Sequence, residues 1–426
     1  MIDKLKSQIQ QLLAGGFFHI LFGNTLTKMV AFISSIVIVR LVSKQDYAYF
    51  SYADNLYSYA NLVAGLGMST AVLKFCSGKN QKEDKAYMLF AMKYGNLFQI
   101  FVSLLIVIYA NTVPIPFPEA RYLVTMLALY PVLTNVVTTI QNYVRAHLDN
   151  KLYVRMSVVQ TIAVFLCSVI FVLLIGVSGI VIARYAAIVL AICVAWQFLK
   201  NHMSGVQAEK LDRKQIKAFL AMAISMMIGN LFSSMLANNE MALVNYLISD
   251  EIVTANYRVA NLIPSQLTFI TSSIVVYYFP IIANMNRGKM VWNKVKKIGA
   301  LTGGLIFAIT VILMFFSPFI IQVAYGDRYN DALGLFQLFW IVYAINAGFR
   351  MIPLNMLPAL GITKFNAFLS MGTCLVHVVI DYICINVLGI TGAGIASAIV
   401  YLVSGAIGWG YLYKVCVKEE VSKTEE

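Results

Sequence analysis

Charged residues are scarce in this chain: Asp, Glu, Lys and Arg make up 12% of its 426 residues, where soluble domains average about 25%. Hydrophobic residues make up 60%. So little charge cannot cover a large water-exposed surface. The composition therefore excludes an ordinary soluble protein and favours an integral membrane protein.

Cysteine pairs and enzyme motifs are also missing. The six cysteines form no C-x-x-C motif, and none falls in a segment predicted to face the outside. No phosphate-binding loop, H-E-x-x-H or G-x-S-x-G motif occurs, and the longest predicted outer connection is only 111–122. We therefore expect no disulfide, no metal, no cofactor and no catalytic residue.

The excess of basic residues gives a net charge of +13 but does not indicate a nucleic-acid-binding protein. The Lys and Arg residues form no dense cluster interleaved with aromatic residues, and no nucleic-acid-binding motif occurs. We expect no nucleic-acid partner.

Apolar segments of about 20 residues, the length that crosses a bilayer as a helix, recur along the chain. We predict an all-α integral membrane protein with twelve transmembrane helices. The predicted spans are 17–42, 47–73, 87–110, 121–144, 153–175, 179–200, 217–247, 251–283, 298–325, 332–360, 364–388 and 391–414.

Most Lys and Arg residues lie in alternate connections between these helices and near both ends of the chain. The other side keeps Arg40, Lys44, Arg121 and Arg328. Because positive charge marks the cytoplasmic side of a membrane protein, we predict that both termini are cytoplasmic.

A polar segment after the sixth predicted helix divides the helices into two sets of six. LLIGVSGIVIA (173–183) resembles VLGITGAGIA (387–396), and SYADNL (51–56) resembles YRVANL (257–262). Duplicated halves are typical of transporters, which bind substrate between the halves. We predict a cytoplasmic interfacial helix or tail at 1–16, a first lobe at 17–200, a cytoplasmic linker at 201–216, a second lobe at 217–414 and a cytoplasmic tail at 415–426.

Several charged residues lie inside predicted spans, where a charge near the bilayer centre costs about 3 kcal/mol on insertion scales. The basic ones are Lys28, Arg184, Arg258 and Arg350, and the acidic ones are Asp54, Glu240 and Asp381. One interpretation is structural: acids and bases pair and hold helices together. The other is functional: surplus positive charge binds an anionic substrate, because the planar fork of Arg matches phosphate oxygens.

The acidic residues are also candidates for coupling transport to an ion gradient. His377 and Asp381 are four residues apart in one predicted helix and therefore share a face. Such a pair can relay protons or help to bind a cation, or it can simply hydrogen-bond between helices. Asp54 and Glu240 are further coupling candidates.

Tyrosines are concentrated in the second predicted helix. Tyr52 and Tyr59 are seven residues apart and share a face, where they could stack against sugar rings. Tyrosines near a membrane boundary also form interfacial belts, so both interpretations remain open.

Several segments, in this order, resemble one family of exporters. They are FISSIVIVRLVSKQDYAYFSYADNLYSYANLVAGLGMSTAVLKF (32–75), YRVANLIPSQL (257–267), YGDRYNDA (325–332), LPALGITKFN (357–366) and LGITGAGIASAIVYLVS (388–404). With these segments the chain resembles the Wzx-type polysaccharide flippases of the multidrug/oligosaccharidyl-lipid/polysaccharide (MOP) exporter superfamily.

The resemblance implies a function and a membrane. Such proteins move undecaprenyl-pyrophosphate-linked oligosaccharide repeat units from the inner to the outer leaflet of the bacterial cytoplasmic membrane, for cell-surface polysaccharide assembly. It also implies two pseudo-symmetric MATE-like lobes of six helices, alternating access driven by a proton or sodium gradient, and a polysaccharide polymerase as a candidate partner.

The resemblance also suggests roles for individual residues. We assign pyrophosphate binding first to Lys28 and Arg258, whose helices line the cavity in this family, and then to Arg350 and Arg184. Arg40 matches the Arg of the family's helix 1 turn, and we expect a gating or structural role for it and for Asp46.

Two alternatives lie within the same superfamily. A cation-coupled multidrug exporter mostly carries cationic drugs, which a cavity with surplus Lys and Arg would repel. Relatives that flip the peptidoglycan precursor lipid II commonly carry two further carboxy-terminal helices, so twelve predicted helices favour a polysaccharide repeat unit.

Overall fold

A computed structural model describes residues 17–77, 80–285 and 287–418. Within these ranges the chain is helical and contains no strand. The predicted interfacial helix or tail at 1–16 lies outside the described residues. The α-helices are α1 (Phe17–Leu41), α2 (Lys44–Leu62), α3 (Met68–Phe75), α4 (Gln81–Phe90), α5 (Asn96–Thr112), α6 (Arg121–Met126), α7 (Tyr130–Ala146), α8 (Asn150–Ile175), α9 (Ser178–Met203), α10 (Arg213–Ile248), α11 (Glu251–Leu262), α12 (Leu267–Ala283), α13 (Lys289–Phe315), α14 (Ser317–Tyr325), α15 (Leu333–Ile345), α16 (Met351–Ala359), α17 (Thr363–Leu388) and α18 (Ile390–Tyr413).

Eleven helical segments of the described ranges are long and apolar enough to cross a membrane. They are Gly23–Leu41, Lys44–Phe75, Gln81–Thr112, Pro118–Ala146, Asn150–Ile175, Ser178–Met203, Glu251–Ala283, Lys289–Phe315, Asp327–Ala359, Thr363–Leu388 and Ile390–Val417. These segments confirm the predicted all-helical, multi-pass membrane fold. The remaining predicted span, 217–247, lies in the 36-residue helix α10, which carries the polar run Asn238, Asn239 and Glu240.

One predicted span has the wrong limits. Residues 298–325 do not form one helix, because α13 starts earlier, at Lys289, and ends at Phe315. Pro318 then lies in the first turn of the separate helix α14. Proline suits that position, since the first amide groups of a helix have no intrahelical partner.

Contacts divide the chain into two units, the first ending at Leu231 and the second starting at Phe232. The boundary falls inside α10, whose amino-terminal part belongs to the first unit. There Phe219 packs against the rings of Phe75 and Tyr87, at centroid distances of 5.2 Å each. The limits predicted for the two lobes from the sequence stay predictions.

The two units repeat a tight connection between helices. Gly176, between α8 and α9, has φ 65° and ψ −149°, and Gly389, between α17 and α18, has φ 62° and ψ −145°. L-amino acids with a side chain rarely adopt this conformation, so both turns favour glycine. The alignment of 173–183 with 387–396 places one glycine on the other.

A second repeated feature is a break inside a membrane-spanning segment. Helix α2 ends at Leu62 before a 3₁₀ turn at Ala64–Gly67, and α11 ends at Leu262 before a 3₁₀ turn at Pro264–Gln266. The breaks align YSYANL (57–62) with YRVANL (257–262). The predicted match of 51–56 was therefore six residues out of register.

Gln99 of α5 stabilises the break in the first unit. Its side chain is fully buried, and its Nε2 donates to the Ala60 carbonyl at 3.0 Å. Its Oε1 accepts from the Gly65 amide at 3.3 Å. One amide side chain thus forms hydrogen bonds with two backbone groups that have no partner within the interrupted helix. Without these bonds, unpaired backbone groups in apolar surroundings would cost free energy.

Candidate functional site

The first unit holds the predicted gating and structural residues at the α1–α2 junction. Ser43 caps α2, since its Oγ accepts from the Asp46 amide at 3.0 Å and donates to Asp46 Oδ2 at 2.7 Å. This reciprocal arrangement stabilises the start of the helix, and the gating or structural role of Asp46 stays a prediction. Lys28 and Arg40 both lie on α1 with exposed side chains, and their predicted roles stay predictions.

Arg184 and Asp54 form an ion pair inside the first unit. Arg184 Nη1 lies 2.6 Å from Asp54 Oδ1, and the two side chains are 17% and 23% exposed. The guanidinium also lies over the rings of Phe50 and Tyr130, 4.8 Å and 5.0 Å from their centroids. Arg184 thereby joins α9 to α2 and α7, which favours the structural interpretation of both charges.

Tyr52, a candidate for stacking sugars, is 1% exposed. Its ring packs edge-on against Phe117, with 5.7 Å between the centroids. The ring is therefore enclosed by protein in this structure, and its sugar-stacking role stays a prediction. Tyr59 is half-buried on the same helix, and its role stays a prediction.

A continuous polar network lies inside the second unit and joins three predicted coupling residues. Ser397 of α18 donates to Glu240 Oε2 of α10 at 2.9 Å, and its Oγ lies 3.0 Å from His377 Nε2 of α17. His377 Nδ1 lies 3.4 Å from Asp381 Oδ2. All four side chains are buried, with exposures of 4% or less.

The network also contains carboxylate oxygens that are not satisfied by protein. Within the described ranges, Glu240 Oε1 and both Asp381 oxygens have no hydrogen-bond partner, and the contact between His377 and Asp381 is an ion-pair distance rather than a hydrogen bond. Buried carboxyl oxygens of this kind can accept a proton or coordinate a small cation. The described residues contain no group of three or more His, Cys, Asp or Glu side chains placed to hold a metal ion.

Two tyrosines adjoin this network, and one of them connects it to Arg350. The Tyr257 hydroxyl of α11 is a hydrogen-bond partner of Glu240. The Tyr401 ring lies 6.2 Å from the His377 ring, and the Arg350 guanidinium lies 5.0 Å from the Tyr401 centroid. Arg350 therefore lies one aromatic ring away from His377 of the network.

Arg350 ends a π-helical turn, Asn346–Arg350, that connects α15 to α16. Its Nε donates to Ser404 Oγ at 2.9 Å, and its Nη1 donates to Asn346 Oδ1 at 3.1 Å. These partners and Tyr401 are uncharged, so they leave the positive charge of the guanidinium uncompensated. Single π turns inside helices often mark functional sites.

The sequence explains why the π turn forms at this position. Pro353 has no amide hydrogen to donate to the carbonyl of Phe349, four residues earlier, and its ring crowds that carbonyl. Trp409 Nε1 of α18 donates to the Phe349 carbonyl instead, at 3.0 Å.

Arg258 lies on α11, next to Tyr257, and is half-buried. Three residues further on, Asn261 Oδ1 accepts from the Tyr343 hydroxyl at 2.6 Å. The second unit thus contains two of the predicted pyrophosphate-binding cations, Arg258 and Arg350, and three of the four coupling candidates. Lys28 and Arg184 belong to the first unit.

The sequence prediction missed the neutral members of this site, above all Ser397. A signal was present, because the repeat that aligns Gly176 with Gly389 also aligns Arg184 with Ser397. The same position therefore carries the central polar side chain of each unit. In the first unit it is a permanent cation, and in the second it is a hydroxyl between two titratable groups.

Comparison with the sequence profiles of known families assigns the chain to one of them. The sequence profile described as "Polysaccharide biosynthesis protein" matches residues 13–286, more than half of the chain. No curated protein matches the sequence.

Solved structures share the fold at low sequence identity. The inward-facing form of a multidrug resistance MATE family transporter of the MOP superfamily has a TM-score of 0.69 at 15% identity, over 94% of this chain and 96% of that one. The outward-facing form of a multidrug resistance MATE family transporter of the MOP superfamily has a TM-score of 0.59 at 13% identity, over 95% of each chain. A MOP superfamily transporter from Pyrococcus furiosus, described as having a binding pocket of reverse polarity, gives 0.56 at 13% identity, over 96% and 94%. The chain is therefore a multi-pass membrane protein of the polysaccharide biosynthesis protein family, with the fold of the MOP-superfamily transporters.

Proposed function

We propose that this protein is a flippase for undecaprenyl-pyrophosphate-linked oligosaccharide repeat units. It moves them from the inner to the outer leaflet of the bacterial cytoplasmic membrane by alternating access and supplies a polysaccharide polymerase. The observation that carries the proposal is Arg350, a cation inside the membrane-spanning segment Asp327–Ala359 whose hydrogen-bond partners are neutral.

A cation in this position suits an anionic cargo. Keeping it inside a bilayer costs free energy, so it persists where it pairs or serves the substrate. Its neutral partners hold the guanidinium in place and leave its charge to interact with an arriving anion. The planar fork fits two phosphate oxygens at once. We assign Arg258 of the same unit to the same pyrophosphate, and pyrophosphate binding by Lys28 of the first unit stays a prediction.

We place energy coupling at Glu240, His377 and Asp381, and not at Asp54. The Asp54 carboxylate accepts from Arg184, so it is paired with a permanent positive charge. The buried groups of the second unit instead form a chain of pairwise contacts through Ser397. A chain of pairs suits a proton passed from group to group, so we propose a proton gradient as the driving force.

The test is reconstitution of the purified protein into liposomes that contain fluorescent undecaprenyl-pyrophosphate glycan. A membrane-impermeant quencher reports how fast the headgroup changes leaflet. We expect acceleration over empty liposomes, and a loss of about tenfold or more in Arg350→Gln, since a charge-assisted bond to phosphate is removed. Arg155→Gln, at an exposed position of α8, is the matched control and should keep the wild-type rate.

The same liposomes distinguish the alternative function. Gradient-driven uptake of a cationic dye, without movement of the lipid-linked glycan, would replace the flippase by a multidrug exporter. Equal rates in wild type and Arg350→Gln would remove Arg350 from the substrate site.

A further inference from the structure

A long apolar groove opens on the second unit, and no side chain of the buried polar network lines it. It has a volume of about 870 Å³ and is formed by α13, α15, the π turn and α18. Its outer residues face away from the protein: Phe307 is 68% exposed and Val311 is 52% exposed. Because these helices are membrane-spanning segments, the groove opens to the hydrocarbon of the bilayer.

Small residues form the floor of the groove, and aromatic rings form its walls. Gly303 and Gly348 let α13 and the π turn approach closely, since a Cβ built on Gly303 would lie 3.3 Å from the Gly348 carbonyl oxygen. Trp292, Phe307 and Phe349 stand beside this floor. Small residues and flat rings together offer a large apolar surface to a hydrocarbon chain.

The groove is too long for the acyl chain of one leaflet. Its lining residues on α13 run from Trp292 to Met314, about 33 Å at 1.5 Å per residue. The hydrocarbon core of a whole bilayer is about 30 Å thick, so a phospholipid chain fills only about half of this length. A longer hydrocarbon chain would occupy all of it.

One end of the groove is positively charged. Lys296 is the charged residue of the lining, and it lies at the end of α13 that the positive-inside pattern places towards the cytoplasm. Trp292 and Trp409 lie near the same end. An ammonium group beside interfacial tryptophans is suited to a phosphate at headgroup level.

The groove also contacts the element that carries Arg350. Gly348 and Phe349 line it, and Arg350 follows them directly in the same π turn. The Phe349 carbonyl accepts from Trp409, which lines the groove as well. An occupant of the groove therefore packs against the turn that positions the substrate-binding guanidinium.

We propose that this groove binds the polyisoprenoid chain of the lipid-linked cargo, with Lys296 beside its phosphate groups before the headgroup crosses. This inference rests on the proposed function and adds the place where the lipid tail docks. Contact between the tail and the π turn lets the protein recognise tail and pyrophosphate together.

The experiment uses the full chain in nanodiscs with a photoreactive undecaprenyl phosphate. Crosslinking followed by peptide mapping should label the groove segments of α13 and α15. Excess undecaprenyl phosphate should abolish the label, and excess phosphatidylglycerol should leave it. Equal competition by phosphatidylglycerol would overturn the proposal in favour of an ordinary bilayer lipid.

Two variants fill the groove from opposite walls. Ala300→Trp and Ala344→Leu should each weaken labelling by about tenfold, the loss expected when two methylene groups of the chain lose their apolar contact. Leu301→Trp is the matched control, because Leu301 is 65% exposed on the same helix but outside the groove. Unchanged labelling in both filled variants would overturn the proposal.

Lys296→Gln should weaken labelling by about fivefold, the worth of one basic residue at a membrane surface. Its exposed neighbour gives the control Lys297→Gln, which should bind normally. Headgroup flipping, measured on the same proteins, separates the two proposals. Flipping by wild type without groove labelling overturns the groove alone. Competed labelling without flipping supports the groove and overturns the flippase.

Discussion

Asp54 and Asp381, both inside membrane-spanning segments, have opposite surroundings. Asp54 is bonded to Arg184 at 2.6 Å, whereas Asp381 is fully buried, 3.4 Å from a histidine nitrogen. A carboxyl group that must gain and lose a charge needs a neighbour that is not a permanent cation. Because of this difference, we propose proton coupling at Asp381 and a structural role for Asp54.

Replacing Asp381 tests this assignment. Asp381→Asn keeps the shape of the side chain but cannot titrate, so we predict loss of transport driven by a pH gradient with unchanged thermal stability. Asp327→Asn, at an exposed position before α15, is the control and should transport normally. Gradient-driven transport at the wild-type rate in Asp381→Asn would rule this residue out.

Arg184 needs a test that separates structure from substrate binding. Asp54→Asn and Arg184→Gln should each lower the free energy of unfolding in detergent. The double variant should lose less than their sum, with a coupling of about 1–2 kcal/mol. We expect less than for a fully enclosed pair, because the two side chains keep 17% and 23% exposure.

The same double variant also tests the pyrophosphate role predicted for Arg184. If the pair is structural, Asp54→Asn/Arg184→Gln should flip substrate at close to the wild-type rate once folded. A stable double variant without flipping would return Arg184 to the substrate site.

At the level of helices, proline determines where two of the irregular turns of the second unit lie. Pro353 and its freed Phe349 carbonyl account for the π turn that carries Arg350. Pro264 starts the 3₁₀ turn that breaks the segment 251–283. The break in the first unit has no proline, and the buried Gln99 stabilises it instead.

Restoring a regular helix at Pro353 should therefore impair function without impairing folding. Pro353→Ala returns an amide donor to the Phe349 carbonyl, so we predict equal or higher stability and slower flipping. Pro358→Ala lies in the same helix, α16, but after the π turn, and serves as the control. A wild-type flipping rate in Pro353→Ala would show that the π turn is dispensable.

Composition and apolar length predicted most of these helices correctly, because a helix that crosses lipid must be about 20 residues long and apolar. The breaks and the π turn escaped prediction because they depend on partners distant in sequence, such as Gln99 and Trp409. The charged residues of the site could be identified from the sequence, because charges inside membrane-spanning segments are costly and therefore rare. The ion pair between Arg184 and Asp54 could not be predicted, because the two residues are 130 positions apart in the sequence.

At the scale of the whole molecule, the fold is shared with transporters at 13–16% identity. At that identity the layout of helices persists while the side chains inside it differ. The cargo must therefore be inferred from this chain's own charges and from its family. A permanent cation with neutral partners in the second unit, next to a buried titratable chain, is the combination expected for proton-coupled movement of an anionic headgroup.

The most direct measurement follows the headgroup of fluorescent undecaprenyl-pyrophosphate glycan in liposomes that contain the wild-type protein, with and without a pH gradient. We predict movement faster than in empty liposomes, further accelerated by the gradient, and loss of both effects in Arg350→Gln. Movement no faster than in empty liposomes, with correctly folded protein and an intact headgroup, would contradict the account.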